Sequence, residues 1–98
     1  MKLRIDIIEI HGNCPVYQIG DSFDLLDGYK LQIPESRTVC LHGLAALLPF
    51  YNALAKGIKP QKLGLAGSEP AAAFVQCADP WQHTGGGTVV FRITKSMA

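Results

Sequence analysis

Three cysteines, Cys14, Cys40 and Cys77, are the residues of this chain best suited to chemistry, and they lie far apart along it. Each falls at the boundary of an expected element: a turn after the first strand, the first turn of a helix and the end of a later strand. Such positions let a rigid scaffold aim a short side chain. Brought together, three thiolates with one open position would suit an iron–sulfur cluster having one labile iron, or a zinc or copper(I) ion completed by a further donor. His11, His42 and Asp79 are the candidates for that fourth place. Cys40 is expected to be the most reactive thiol or the best ligand, because the partial positive charge of a helix amino terminus favours thiolate. Against this stands the behaviour of free cysteine as a small, commonly buried hydrophobe, and the lack of any Cys-x-x-Cys pair.

A second chemistry is thiol catalysis, with Cys40 or Cys77 as nucleophile and His42, His83 or Asp79 as helpers. Two positions apart on a helix, Cys40 and His42 are expected to diverge. Asp79 precedes Pro80 and reads equally as a turn residue. Gly85-Gly86-Gly87 neither follows a strand nor opens a helix, so it is no phosphate-binding fingerprint and reads as a hairpin loop. Trp81 and Tyr17 would either line a pocket or cap the core.

The element that must hold these residues is the apolar stretch from Thr38 to Gly57. Cys40, Leu44, Leu47, Leu48, Tyr51, Leu54 and Ala55 make one face at helical spacing. Thr38 or Ser36 is the expected amino-terminal cap and Gly57 the left-handed terminator. Pro49 lies inside and implies a kink or two helical pieces. Before the helix, Leu3, Ile5 and Ile7 alternate as in a strand with one buried face, and Ile8 and Ile10 break the phase through two-sided burial or a bulge. His11 to Pro15 reads as a turn, Val16 to Ile19 as a short extended piece, and Asp27-Gly28 as a hairpin turn returning through Tyr29, Leu31 and Ile33. After it, residues 58–70 read as a surface loop with at most one helical turn, 71–77 as a strand and 82–87 as a flexible connection. Val89, Phe91 and Ile93 mark the clearest strand of all. The sum is an α+β fold, a small mostly antiparallel sheet with one main, Pro-kinked helix on one face, in a single domain over residues 1–98.

Composition narrows the partners. Nine basic and eight acidic residues among 98, a net charge of +1 and no Lys/Arg run leave little electrostatic footprint for nucleic acid or an anionic membrane. With 48% hydrophobic and 17% charged residues the chain is expected to be globular. The opening MKLRIDIIEI carries Asp6 and Glu9 where a signal peptide needs unbroken apolar sequence, so a cytoplasmic location and reduced thiols are expected.

Cys14-Pro15-Val16-Tyr17 with Gly20 and Phe23, Cys40 opening an apolar helix that ends Leu54-Ala55-Lys56-Gly57, and Val75-Gln76-Cys77-Ala78-Asp79 before Val89-Val90-Phe91 together resemble an uncharacterised family of small prokaryotic proteins of similar length. The resemblance covers nearly the whole chain, and the order of its three cysteines is the most specific part. It differs where that family carries aromatics after the second cysteine and a Gly-Gly then Phe-Pro-Trp run after the helix; here stand Leu41-His42-Gly43 and Gly57-Ile58-Lys59-Pro60. The resemblance implies that Cys14, Cys40 and Cys77 belong to one pattern, and it brings no activity with it.

Three functions follow as expectations. The first is a small metal- or iron–sulfur-binding protein working in redox or sulfur chemistry or beside a partner enzyme. The second is a cofactor-free interaction module or accessory subunit with buried cysteines, and the third a thiol-dependent enzyme centred on Cys40. A protein partner or a homo-oligomer is expected from exposed sheet edges.

Overall fold

The structure, a computed structural model, describes residues 2–96. Five strands, β1 (Lys2–Gly12), β2 (Ser22–Leu26), β3 (Lys30–Gln32), β4 (Ala72–Gln76) and β5 (Gly87–Ser96), form one antiparallel sheet in the order β3-β2-β1-β5-β4. One long helix, α1 (Leu41–Ala55), joins the two strand groups, and a short helix, α2 (Trp81–Thr84), precedes β5. The architecture is the α+β arrangement expected from the hydrophobic pattern.

Alternation along the strands separates two faces. Leu3, Ile5 and Ile7 of β1 lie beside Leu25 and Phe23 of β2 and beside Ile93 and Phe91 of β5, all buried. Against them α1 sets Leu47, Leu54 and Ala55. The opposite face carries charge: Arg92 pairs with Glu69 and with Asp6, and Asp6 also takes Arg4. The phase break at Ile8 is a bulge, because the β1–β5 register shifts between Ile7 and Glu9 and leaves Ile8 41% exposed.

The helix departs from expectation at its start. Its cap is Cys40, two residues later than Thr38, and that side chain makes no capping hydrogen bond. It runs unbroken through Pro49 as one element. Its end is a Schellman motif: Gly57, at φ +90°, donates to the Leu54 carbonyl while Ile58 donates to that of Ala53. Asp27 and Gly28 both hold positive φ, as the Asp-Gly hairpin turn between β2 and β3 requires. Val16 to Ile19 forms no strand, Pro60–Leu63 makes the single helical turn of the 58–70 loop, and the stretch 82–87 read as a flexible connection overlaps α2 and reaches the start of β5.

Candidate functional site

The three cysteines line one cleft. Cys14, Cys40 and Cys77, with Tyr17, His42, Asp79 and the Gly86-Gly87 backbone, bound a cavity of about 320 Å³ at the amino-terminal end of α1. All three are free thiols, Cys77 buried and the other two partly so.

Their meeting has local causes. β4 is paired with β5 along its whole length, and the Cys77 N–H continues the ladder to the Val89 carbonyl, 2.9 Å away. Beside it runs Gly86-Gly87, onto which the Cys14 loop folds through a 2.9 Å bond from the Asn13 N–H to the Gly86 carbonyl. That approach admits no side chain: a Cβ on Gly87 would lie 2.6 Å from the Cys14 nitrogen, and one on Gly86 2.3 Å from the Asp79 carboxylate. Gly86 and Gly87 therefore serve packing, while Gly85, with open space around it, ends α2 in the left-handed conformation. Cys40 arrives from the other side, because Gly43 lets the first turn of α1 rest on Phe91 and Tyr17; a Cβ there would stand 2.7 Å from the Phe91 ring.

Tyr17 ties the pieces together. Its ring is 5% exposed, near-parallel to Phe23 and edge-on to Phe91. Its N–H donates to Cys14 Sγ at 3.3 Å and its hydroxyl accepts the Cys40 N–H at 3.0 Å. The hydroxyl thus satisfies the N–H of the cap residue itself, while the Cys40 side chain makes no capping bond to the first turn. Burial pushes the phenol above its ordinary value of 10.0; the Cys40 N–H opposes that rise, and negative charge at Cys40, Cys14 or Cys77 adds to it. Cys77 Sγ in turn accepts the Asp79 N–H at 3.4 Å. Two of the three sulfurs therefore receive a backbone N–H, and the Cys77 thiol also donates to the Gly87 carbonyl at 4.0 Å.

Of the candidate fourth donors, His42 and Asp79 line the cleft and His11 does not. Cys40 is the extended cap and not a helical residue, and it and His42 both border the cleft. Asp79 is partly engaged by the Thr84 hydroxyl on Oδ1. His11 lies in a neighbouring depression with Trp81 and His83, its ring near-parallel to Trp81 with centroids 6.1 Å apart. Among the described residues, no three His, Cys, Asp or Glu side chains are gathered closely enough to hold one metal ion. Tyr17 as the common support was missed in the sequence; the available signal was its place three residues after Cys14 in the only loop holding both a cysteine and an aromatic residue before the helix.

No family model, curated protein or solved structure matches the chain. No helix among the described residues is long and apolar enough to cross a membrane.

Proposed function

We propose that the cleft is a thiol-ligated metal site, with Cys14, Cys40 and Cys77 as ligands and His42 or Asp79 as the fourth donor, used for redox or sulfur chemistry or for delivery to a partner. The observation that carries this reading is the meeting of three cysteines from three distant elements on one cleft. Backbone N–H donors to Cys14 and Cys77 support it further. Three thiolates with a further donor suit an iron–sulfur cluster, with its thiolates on separate iron atoms, or a tetrahedral zinc. A reducing cytoplasm would keep such thiols unpaired. A partner or second copy as recipient would meet the protein at an open sheet edge, where β3 is exposed at all three residues.

Elemental analysis and the visible absorption spectrum of protein purified without oxygen test the proposal. Stoichiometric iron or zinc, lost on Cys14→Ser, Cys40→Ser and Cys77→Ser alike, is the expected result. Metal-free protein with three unchanged, folded variants overturns it and favours an interaction module with structural cysteines. A second reading, a thiol enzyme centred on Cys40, draws on His42 bordering the same cleft. One rapidly alkylated thiol in metal-free protein, slowed by His42→Ala, would establish that alternative.

A further inference from the structure

A second cavity lies at the other end of α1. It measures about 390 Å³ and is bounded by Leu3, Leu54 and Ile93 below and by Lys59 and Lys95 at its rim. The three apolar residues belong to the core, at 1%, 5% and 3% exposure, so the cavity reaches core side chains from outside.

Its walls are set in advance. The Gln61 side-chain amide donates to the Pro70 carbonyl at 3.1 Å and ties one wall, begun at Pro60, to the other. Gly57 leaves the rim open: at φ +90° it takes no side chain without strain, and a Cβ there would meet Lys95 Nζ at 3.3 Å.

The rim charge is uncompensated. Arg4, Lys30, Arg37 and Arg92 each hold a carboxylate. Neither Lys59 nor Lys95 makes an ion pair among the described residues, and Lys56 and Lys62 nearby add further positive charge without an acidic neighbour in the run from 56 to 63. The helix end makes no special demand on them, since the Ala53 and Leu54 carbonyls are taken by the Ile58 and Gly57 N–H groups. Two ammonium groups over an apolar floor match a ligand with one anionic end and a hydrocarbon body.

We propose that this cavity binds a small amphipathic monocarboxylate, its carboxylate between Lys59 and Lys95 and its aliphatic body over Leu3, Leu54 and Ile93. The proposal stands apart from the metal reading, because no cysteine borders this cavity.

Octanoate titrated into the full chain, followed by methyl NMR, is the test, with octanamide as the uncharged counterpart. Saturable shifts at the Leu3, Leu54 and Ile93 methyls are expected, with octanamide at least tenfold weaker. Lys59→Ala combined with Lys95→Ala should weaken octanoate about tenfold, leave octanamide unchanged and leave the alkylation rates of the three thiols as they were. Absence of saturable shifts, equal binding of the two compounds, or a double variant that binds octanoate like the wild type would each overturn the proposal.

Discussion

The two ends of α1 present opposite solutions to the closing of a cavity. At the amino-terminal end, directional bonds do the closing: the Tyr17 hydroxyl takes the Cys40 N–H, two sulfurs accept backbone N–H groups, and glycines at 43, 86 and 87 allow contacts no side chain would permit. At the carboxy-terminal end, the helix satisfies its own carbonyls, and the cavity beyond is an apolar floor beside lysines without an ion pair among the described residues. The first arrangement specifies direction and close approach; the second specifies only polarity and charge. A metal or cluster needs the former, and a flexible amphiphile tolerates the latter.

Removing the shared wall of the first end should have the largest effect. Phe91 is fully buried and supports both Tyr17 and the first turn of α1, so Phe91→Ala is expected to cost about 3–5 kcal/mol in urea denaturation. It should also expose Cys40 to alkylation while sparing octanoate binding at the far end. Equal disturbance of both ends would dissolve the contrast.

Next comes the glycine approach. Gly87→Ala forces a methyl against the Cys14 backbone and should cost about 1–3 kcal/mol. Gly64→Ala, with open space around it and only its φ of +72° at issue, is expected to cost about 1 kcal/mol. If the two substitutions prove equal by denaturation, close approach is not what holds the Cys14 loop.

Tyr17→Phe is subtler, keeping the ring and deleting the acceptor for Cys40. A loss of about 1 kcal/mol is expected, with a changed alkylation rate at Cys40 and none at Cys77. Unchanged Cys40 kinetics would show that the hydroxyl does not position the thiol.

The smallest effect is in pH. The folded phenol holds its proton more tightly than the unfolded one, so its contribution is complete below pH 10.0 and is lost as pH climbs through the raised folded value. Wild type should therefore lose stability more steeply than Tyr17→Phe in alkali, as read from urea midpoints. Parallel curves would remove Tyr17 from the account.

Period and punctuation made much of the fold legible. Leu3, Ile5 and Ile7 announced a half-buried strand, Asp27-Gly28 a hairpin and Val89, Phe91 and Ile93 the inner face of β5, because alternation and turn chemistry are local. The cap was not legible: Thr38 has the better capping side chain, yet a hydroxyl 23 positions away captures the Cys40 N–H instead. For α2 four residues are too few to show a period, and the glycines after them suggested a loose loop. Val16 to Ile19 has strand-like residues, but Tyr17 turns inward to the helix and leaves no ladder for its neighbours to join. That the cysteines sit at element ends was readable; that the ends coincide depends on strand order, which no local pattern carries.

That strand order has a consequence for how the chain assembles. The sheet's central pair, β1 and β5, joins Lys2 to Ser96, so the longest ladder is also the one of greatest separation along the chain. The β2–β3 hairpin closes a short loop and can form early, but the core stays open on one side until Val89, Phe91 and Ile93 arrive. During synthesis β1 and β4 must therefore wait with unpaired edges for the last strand to slide between them. Loss of that strand would remove the seam of the sheet and, with it, the wall on which Cys77 rests.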